Sequence, residues 1–428
     1  MTTTINNEHK KLNFSSEREQ SQACLNSAEH EKNQGRKVLN VPNLRFPEFQ
    51  GEWEKCKLGD YGKVVTGNTP PTKDIENYEN GTYLWASPAD LGTIKLISET
   101  KTMLSAQGFS KTRTLPKGSI LVTCIGSTIG KVGMATKEMS TNQQINSIVV
   151  NDNNDNEFVY YAIQSAFPRY LSSIAVQAVP IISKSAFELL PNKRPYLQEQ
   201  KKIGKFLSLL DERIATQNKI IEDLKKLKSA IIEEHYKKVE KRSVLVSELG
   251  EPFNVRNLSK EDLTTTGTPC VLYGELFTTY EAAINHVESH TNKSDGMTLS
   301  KKGDLLFPSS TTVDAVSLIA PSVINVDNVI LGGDMFGIHI NFDFNAQYLS
   351  YFFNHIAKSQ FAKYAKGSTI IHLHYKDIAK AKLSLPCLEE QNRMAKCLVA
   401  LDKKVSVEQN LLSSLTCQKS YLLQQMFI

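Results

Sequence analysis

A repeated segment constrains this sequence more than any other feature. The segment Pro195–Asp211 returns as Pro386–Asp402 at an offset of 191 residues, and both copies begin with the pattern Pro-x-x-x-Glu-Gln. The match continues without a gap as far as Tyr236 in the first copy and Phe427 in the second. Self-similarity at a fixed offset is typical of chains that are built from duplicated units, so it guides everything that follows.

Two shorter matches precede the two copies in the same order. Lys57–Asp60 pairs with Glu248–Glu251 at the offset of 191, and Lys117–Leu121 pairs with Lys302–Leu306 at an offset of 185. Chance can produce any one match, but three in one order indicate common descent. The sequence therefore predicts a duplicated domain of about 190 residues.

Length and composition agree with two folded domains. A chain of 428 residues exceeds what one hydrophobic core usually organises. Its 40 % of apolar and 8 % of aromatic residues are ordinary for globular proteins, which argues against collagen-like and disordered classes. The net charge of +5 permits a polyanionic partner and does not by itself predict one.

Most of the positive charge lies in one stretch. Residues 193–242 contain 14 basic and 8 acidic residues, so this stretch carries +6 and the rest of the chain nearly balances. Such a stretch is typical either of a surface that faces a polyanion or of a lysine-rich, solvated helix face. The sequence leaves both alternatives open.

Targeting signals and cysteine usage predict a cytoplasmic protein. The first forty residues contain no apolar run of signal-peptide length, and nowhere do eighteen apolar residues follow one another. The seven cysteines never approach Cys-x-x-Cys spacing, and their odd number suits neither a disulfide framework nor a zinc ribbon. We therefore expect a reducing compartment and no membrane partner.

Each predicted half consists of a variable region of mixed α/β class followed by one long helix. Short apolar runs bounded by turn residues predict strands at 119–125, 145–150 and 304–307. Recurring aromatic and small residues predict helices at 157–166 and 346–364. The expected divisions are a flexible tail at 1–40, variable domains at 41–194 and 243–385, and helices at 195–242 and 386–428.

Both long helices carry the four-three apolar spacing of a heptad seam. The slot after the fourth apolar residue is polar in both copies, Gln217 in the first and Glu408 in the second. A polar seam residue lowers stability and fixes alignment, so we expect the helices to pack on each other or on partner helices. The residues assigned to the seam and to partner docking are Gln200, Ile203, Leu207, Leu210, Ile214, Gln217, Ile221, Leu224, Gln391, Met394, Leu398, Leu401, Val405, Glu408, Leu412 and Leu415.

The order of these motifs resembles the specificity subunits of Type I restriction-modification systems. Pro42–Glu54, followed by Lys-Leu-Gly-Asp, resembles the start of that family's first domain, and Val65–Pro71 resembles its Gly-x-Thr-Pro loop. The doubled Pro-x-x-x-Glu-Gln helix start is the family's most specific mark, and the resemblance covers about residues 41–428. The second half departs from the pattern, because Phe253–Asn257 stands where that loop is expected.

The resemblance implies two target-recognition domains and two antiparallel helices related by a pseudo-twofold axis. Each domain then reads one half of a split double-stranded DNA target. The helices set the gap between the half-sites and dock two adenine-methylating modification subunits, to which restriction subunits attach. It also implies that catalysis, S-adenosylmethionine, ATP and Mg²⁺ belong to those partners, and that this chain binds no cofactor.

Helix length agrees with a split target. About 40 residues at about 1.5 Å each give a rod of about 60 Å, which exceeds one DNA turn of about 34 Å. Two readers that differ in sequence and are held apart by such rods predict an asymmetric target with an unread middle.

Side chains with paired donors and acceptors are the best candidates for contacting base edges, and lysine and arginine for contacting phosphates. Ordinary turn formation is the alternative for each of them, and a core position is the alternative for Trp85. In the first domain the candidates are Lys63, Thr66, Gly67, Asn68, Thr69, Lys73, Trp85, Ser87, Lys111, Arg113, Ser127, Thr128, Lys131, Gln143, Gln144, Asn146 and Lys184. In the second they are Arg256, Asn257, Lys301, Lys302, Ser309, Ser310, Thr311, Thr312, His372, His374 and Lys376.

Two catalytic or cofactor motifs are incomplete, and others do not occur. Gly126–Lys131 resembles a phosphate-binding loop but is one residue short, and Val132 replaces the Mg²⁺-binding hydroxyl. His286 and His290 are four apart, but Glu288 occupies the wrong slot for a zinc protease. Neither a Gly-x-Gly-x-x-Gly fingerprint nor the Asn-Pro-Pro or Asp-Pro-Pro of amino-methyltransferases occurs. A non-catalytic DNA reader is therefore expected; a drifted enzyme and a protein-binding scaffold are the alternatives.

Overall fold

The computed structural model describes residues 40–92, 94–173 and 181–428, so almost all of the predicted tail lies outside the described residues. The chain divides into two compact units. Unit 1 consists of the residues up to Asn218 together with Leu411–Ile428, and unit 2 is Lys219–Asn410. Each unit therefore combines one α/β domain with part of each of two long helices.

Unit 1 is built from short strands and a few helices, and the first of the two long helices, α4, continues into unit 2. The strands are β1 (Glu54–Lys57), β2 (Gly62–Thr66), β3 (Tyr83–Ala86), β4 (Leu96–Ile97), β5 (Thr102–Leu104), β6 (Thr114–Leu115), β7 (Ile120–Thr123), β8 (Val132–Ala135), β9 (Met139–Thr141), β10 (Ile145–Val150) and β11 (Pro191–Arg194). The helices are α1 (Ala106–Ser110), α2 (Asn156–Ser173), α3 (Lys184–Leu189) and α4 (Leu197–Lys238).

Unit 2 follows the same plan and ends in the helix that returns to unit 1. The strands are β12 (Arg242–Leu245), β13 (Gly250–Asn254), β14 (Leu263–Thr264), β15 (Thr268–Leu272), β16 (Ala283–Ile284), β17 (Ser289–Thr291), β18 (Thr298–Leu299), β19 (Asp304–Pro308), β20 (Ser310–Thr311), β21 (Ser322–Ile324), β22 (Ile330–Gly332), β23 (Met335–Ile340), β24 (Ile371–His372) and β25 (Lys382–Leu385). The helices are α5 (Glu275–Thr278), α6 (Ala315–Leu318), α7 (Ala346–His355), α8 (Lys358–Ala362), α9 (Tyr375–Ile378) and α10 (Leu388–Gln425).

The main sheets of the two units have the same topology, which confirms the predicted duplication. The five-stranded sheet has the order β2-β10-β7-β8-β4 in unit 1 and β13-β23-β19-β21-β16 in unit 2. Both orders place the first strand at an edge, pair it antiparallel with a later strand, and end on a parallel pair. A two-stranded sheet closes the base of each domain, β1 with β11 and β12 with β25.

The predicted strands and helices are present with small shifts. The strand expected at 145–150 is β10 itself, and those expected at 119–125 and 304–307 are β7 and β19. The single helix expected at 346–364 is instead two helices, α7 and α8. Both long helices are present, at 42 and 38 residues.

The heptad seam holds along both helices. Each predicted apolar seam residue is buried or half-buried, and most of its neighbours in sequence are exposed. The polar slots Gln217 and Glu408 are also buried, at 5 % and 8 % exposure. Within unit 2 the helices run antiparallel, because Lys228 contacts Asp402 and the later His235 contacts the earlier Glu390.

Gln200 and Gln391 differ from the rest of the predicted seam. The Gln200 amide donates to the Pro195 carbonyl oxygen (2.9 Å) and accepts from the Asp155 backbone N–H (3.1 Å). The Gln391 amide makes the equivalent bonds to Pro386 and Asn345, both 2.9 Å. Each of these fully buried amides bonds one backbone group just before its own long helix and one just before a domain helix, α2 or α7, so it attaches the long helix to its own domain.

An aspartate in each long helix joins that helix to its domain and to the other helix. In unit 1, Asp211 accepts from the Tyr161 hydroxyl at 2.6 Å and pairs with Lys419 at 2.6 Å. In unit 2, Asp402 accepts from the Tyr351 hydroxyl at 2.6 Å and pairs with Lys228. The aspartates and the lysines are both 191 residues apart, so the repeat extends to individual bonds.

Burial, followed by the hydrogen bond to the aspartate, raises the pKa of both tyrosine hydroxyls well above its ordinary value. The hydroxyls therefore stay protonated and act as donors at physiological pH. These bonds fix the domain on the helix pair in each unit.

We expect Asp211→Asn to lower the free energy of unfolding of unit 1 by about 1–3 kcal/mol, because the neutral amide loses a charged hydrogen bond and an ion pair. Both tryptophans, Trp53 and Trp85, lie in unit 1, so tryptophan fluorescence in a urea titration reports on that unit. Glu212→Gln, at an exposed neighbouring position, is the control. Equal midpoints for the two variants would contradict a stabilising role.

Candidate nucleic-acid interface

Polar segments from four parts of unit 1 meet at one end of its five-stranded sheet. Strand β10 pairs antiparallel with both β2 and β7, so its first residue lies beside the last residues of the other two strands. A fourth segment joins them, because the Ile182 N–H donates to the Cys124 carbonyl oxygen at 2.8 Å. We call these segments, residues 66–69, 124–131, 141–146 and 181–184, the loop edge of unit 1.

Asn68 organises the first segment of this loop edge. Its backbone N–H donates to the Thr141 carbonyl oxygen (2.9 Å), and its own carbonyl accepts from the Trp85 indole N–H (3.1 Å). Its side chain donates to the Lys111 carbonyl oxygen (2.9 Å) and accepts from the Arg113 N–H (2.8 Å). Because the side-chain nitrogen and the side-chain oxygen of Asn68 are both hydrogen-bonded within the protein, Asn68 is suited to position Arg113 and Lys111. Trp85 is buried, in keeping with the core alternative.

The segment 141–146 contains the most exposed amide of the unit 1 candidates. Gln143 is exposed, and its side-chain oxygen accepts from the Thr69 hydroxyl. Gln144 is half-buried and accepts from the Asn142 amide at 3.1 Å. Gln143 therefore presents an amide to solvent from a position fixed by the neighbouring loop.

Asn146 lies deeper. It is 3 % exposed, accepts from the Thr66 hydroxyl at 2.6 Å and donates to the Ile182 carbonyl oxygen at 3.4 Å. These bonds join three of the four segments, which favours a structural role for Asn146 and Thr66 over contact with bases.

Cations surround the loop edge. Arg113 is exposed and donates to the Thr66 carbonyl oxygen at 2.8 Å. Lys131 belongs to the segment that carries Ser127 and Thr128, and it lines a shallow cavity of about 340 Å³. Lys184, half exposed, begins α3 and pairs with Glu188 at 3.6 Å. Cationic side chains of this kind are suited to phosphate contacts.

Four remaining candidates of unit 1 lie beside or away from this edge. Lys111 pairs with Asp74, and Lys73 is the exposed residue before that aspartate. Lys63 is exposed on β2, three residues before its end. The Ser87 hydroxyl donates to Asp90 at 2.7 Å and closes a short helical turn, so its polar group serves the fold.

Gly67 leaves no room for a side chain at this edge. A β-carbon there would lie 2.2 Å from the Thr141 carbonyl oxygen and 2.3 Å from that of Asn142, and backbone atoms cannot withdraw without moving β9. We expect Gly67→Ala to cost about 1–3 kcal/mol of stability. It should also weaken DNA binding by displacing Asn68. The control is Gly274→Ala, since a β-carbon there meets nothing within 4 Å; Gly274 lies in unit 2, so the unfolding of this variant is followed by circular dichroism. Unchanged urea midpoints by tryptophan fluorescence in Gly67→Ala would refute the close packing.

Unit 2 assembles the same edge from different residues. Strand β20 pairs with β24, and the Leu373 N–H donates to the Ser309 carbonyl oxygen at 2.9 Å, the counterpart of the bond from Ile182 to Cys124 in unit 1. The Gly333 N–H donates to the Arg256 carbonyl oxygen at 3.2 Å. We call residues 255–257, 309–312, 332–334 and 371–376 the loop edge of unit 2.

Most unit 2 candidates lie at this edge. Arg256, Asn257, Thr312, His374 and Lys376 are exposed, whereas Ser309 and Ser310 are buried and Thr311 is half-buried. The rings of His372 and His374 stack with centroids 6.1 Å apart, and His372 lies 4.0 Å from Asp334. The hydrogen bond from Lys366 lowers the pKa of Asp377, which caps the turn that begins at His374.

Lys301 and Lys302 lie elsewhere in unit 2. They precede β19, whereas Ser309 follows it, so the strand separates them from the loop edge. Their backbone N–H groups donate to Asp304 (2.8 Å) and Asp327 (2.7 Å). Lys301 and Lys302 were candidates because they are basic. The sequence alone does not show at which end of a strand a lysine lies.

One residue at the loop edge of unit 2, Asp334, and one outside the loop edge of unit 1, Tyr83, were not among the candidates. The backbone carbonyl oxygen of Asp334 accepts from the Ser309 N–H at 2.7 Å, and its carboxylate lies 4.0 Å from His372. Tyr83, 38 % exposed, stacks on Phe109 with centroids 4.5 Å apart, on the strand that carries Trp85. Aligning the two halves strand by strand places Asp334 opposite Gln144, which is the signal that was available for it.

Two further features, a metal site and a membrane-spanning helix, are absent from the described residues. Among them no group of three or more His, Cys, Asp or Glu side chains is arranged to hold a metal ion. None of the helices in the described part of the chain is long and apolar enough to cross a membrane.

Comparison with known proteins identifies the family. The family model described as "Type I restriction modification DNA specificity domain" matches residues 50–226 and again 242–416. The chain is 31 % identical over 182 residues to the Type I restriction enzyme MjaIX specificity subunit of Methanocaldococcus jannaschii, covering 41 % of this chain and 42 % of that protein. It is 24 % identical over 393 residues to the MjaVIII specificity subunit of the same organism, covering 85 % and 89 %.

A solved structure has a similar fold. The S subunit of a Type I restriction-modification system from M. genitalium superposes with a TM-score of 0.61 at 18 % identity, covering 91 % of this chain and 99 % of the other. The two family matches coincide with the two halves of the repeat, each a domain with its long helix. The chain belongs to the Type I restriction-modification DNA specificity family and carries two copies of that family's domain.

Proposed function

We propose that this chain is the specificity subunit of a Type I restriction-modification complex and that each domain reads one half of a bipartite, asymmetric DNA target. The observation that carries the proposal is the paired loop edge, with four equivalent segments at the same end of the same sheet in both units. The two edges differ in sequence, for example Thr66–Thr69 against Asn254–Asn257. Different side chains in one frame are suited to reading different bases.

The exposed side chains at the edges have the chemistry for this task. Gln143 in unit 1 and Asn257 in unit 2 offer a paired donor and acceptor, as recognition of adenine in the major groove requires. Arg256 matches the paired acceptors of guanine. Arg113, Lys131 and Lys184 are suited to phosphates, which position a protein without specifying sequence.

We propose that the long helices set the gap between the half-sites. A 42-residue helix is about 63 Å long at about 1.5 Å per residue, nearly two DNA turns of about 34 Å. Inserting one heptad after Asn218 and one at the equivalent point after Gln409 keeps the seam in register and adds about 10 Å. The expected result is a target with the same bases and a gap about three base pairs longer. Changed bases at constant spacing would refute the spacer role.

We propose that two modification subunits dock along these helices. In addition to the seam, the helices expose apolar side chains that a partner helix can cover. They include Leu209, Ile220, Leu227, Val407 and Leu411, each between 37 % and 54 % exposed.

Adenine methylation, cleavage of unmodified DNA by restriction subunits, and the binding of S-adenosylmethionine, ATP and Mg²⁺ then belong to the partners, and this chain is non-catalytic by itself. The assembly acts in the cytoplasm, where its DNA substrate lies.

Footprinting tests the proposal. The full chain with its modification subunits should protect two short DNA segments separated by an unprotected gap, and its binding should weaken steeply as salt rises, because phosphate counterions are displaced. One continuous short footprint would contradict the proposal of a bipartite DNA target. Methyl transfer by the chain alone would identify an enzyme, and binding to proteins without salt-dependent binding to DNA would identify a scaffold.

A further inference from the structure

The two copies of one glutamate have different surroundings. Glu199 near the start of α4 and Glu390 near the start of α10 are equivalent at the offset of 191. In unit 1, Glu199 is 1 % exposed, and both of its oxygens accept from the Arg45 guanidinium at 2.8 Å. The Trp53 indole also donates to it at 3.3 Å. In unit 2, Glu390 is bound by His235 at 3.1 Å and by Arg393 at 2.6 Å, and its side chain is 30 % exposed.

Arg45 belongs to a segment that covers the helix ends in unit 1. We call residues 42–53 the covering segment. The Leu44 N–H donates to the Gln425 carbonyl oxygen at 2.9 Å, and the Phe46 ring meets the Phe206 ring edge-on at 5.8 Å. The segment thus contacts the last turn of α10 and the first turns of α4.

Unit 2 has an open cavity at the equivalent place. This cavity, of about 460 Å³, is lined by Ile231, Glu234, His235, Glu390 and Arg393 among others. At the offset of 191 these are the counterparts of Leu422, Gln425, Met426, Glu199 and Lys202, which lie under or beside the covering segment in unit 1. The cavity therefore corresponds to the seat of the covering segment, and within the described part of the chain it is unfilled.

The connection between helix and domain explains the difference. In unit 2 the chain passes from the end of α4 at Lys238 to β12 at Arg242 in three residues, too few to form such a segment. In unit 1 the covering segment precedes β1 and does not follow a long helix. It is therefore long enough to contact the ends of both α4 and α10. The same seat is therefore present twice, and the described part of the chain supplies an occupant for one.

We propose that the cavity at Glu390 is a docking site for an extended segment of a partner protein that presents an arginine followed by an aromatic residue. The arginine takes the place at Glu390 that Arg45 has at Glu199. The aromatic residue packs toward Cys397, which is exposed and is the counterpart of Phe206.

Charge adds a third requirement for this occupant. In unit 1, Lys202 pairs with Glu48, three residues after Arg45, and lies 4.7 Å from the centre of the Phe46 ring. In unit 2 the counterpart, Arg393, is 69 % exposed and turned back onto Glu390. A partner with an acidic residue three positions after its arginine draws Arg393 off Glu390, and the incoming guanidinium then takes the place of Arg393 beside His235. Residues 1–39 of this chain do not fit, because neither Arg18 nor Arg36 precedes an aromatic residue.

The covering segment itself is the natural probe. A fluorescently labelled peptide with the sequence of residues 41–53 is titrated against the full chain, and binding is followed by anisotropy. We expect saturable binding that Glu390→Gln weakens at least tenfold, since a bidentate charged bond is lost. Glu389→Gln, the exposed neighbour outside the cavity, should leave the affinity unchanged. Lysine in place of arginine in the peptide should also weaken it, because lysine lacks the planar fork.

A photoreactive phenylalanine at the Phe46 position of the peptide locates the site. Crosslinks to 231–239 or 390–397 support the proposal. Absence of binding, equal affinity for Glu390→Gln and wild-type chains, or crosslinks to the unit 1 helix ends would overturn it. Self-association of the chain that Glu390→Gln abolishes would assign the site to a second copy and overturn the partner assignment. None of these readouts uses DNA, so they are independent of the proposed target recognition.

Discussion

Replacing Glu199 with glutamine should lower the free energy of unfolding of unit 1 by about 3–5 kcal/mol, because the Arg45 guanidinium, 13 % exposed, is left without its carboxylate. The Arg45 guanidinium cannot relieve the loss by deprotonating, because the ordinary pKa of arginine already lies far above physiological pH. Tryptophan fluorescence in a urea titration measures the change, since Trp53 donates to the same carboxylate.

Glu390→Gln is the matched control for this change. The two glutamates are equivalent in sequence, but Glu390 faces an open cavity and its partners are ones that water can replace, so we expect a much smaller loss than in Glu199→Gln, measured by circular dichroism. A comparable loss of unfolding free energy in both variants would show that the covering segment does not make Glu199 more important for stability than Glu390. A small loss in both would show that the buried pair with Arg45 does not stabilise the unit.

Exchanging residues 56–193 for those of another member of the family should change one half of the DNA target and leave the other half unchanged. The boundaries lie in β1 and β11, which pair only with each other in the described structure, so the exchanged part carries its whole loop edge. Specific DNA binding typically exceeds non-specific binding by about 10³–10⁷-fold, so loss of the original half-site should be near complete.

Methylome sequencing of cells that carry the whole restriction-modification system measures this exchange directly. The reciprocal exchange of residues 243–385 is its control and should alter the other half-site. If either exchange changed both halves, the two loop edges would not act as separate readers.

The sequence was sufficient wherever structure depends on local spacing. The four-three pattern from Ile203 onward fixes which face of α4 is buried, because side-chain direction in a helix follows from residue number. The doubled Pro-x-x-x-Glu-Gln start predicted two equivalent helices, since equal sequences make equal local bonds, as Gln200 and Gln391 do. The candidates near Thr66 and Ser309 were chosen as loop residues whose side chains offer donors and acceptors, and the structure brings them to one edge in each unit.

What the sequence could not determine depends on contacts between distant residues. The list of candidates held Asn146 and Asn68 beside Gln143, yet only pairing of β10 with β2 and β7 shows which amides are engaged within the protein and which face solvent. Lys301 and Ser309 lie eight residues apart and belong to opposite ends of one strand.

By itself, then, the sequence determined the duplication, the two long helices and their seams, because these follow from repetition and from the period of the α-helix. Tertiary structure alone decided that Glu199 is buried under Arg45 while its copy Glu390 lines an open cavity. The physical reason is that burial depends on what the rest of the chain brings to a residue, and equivalent positions of a repeat can receive different neighbours.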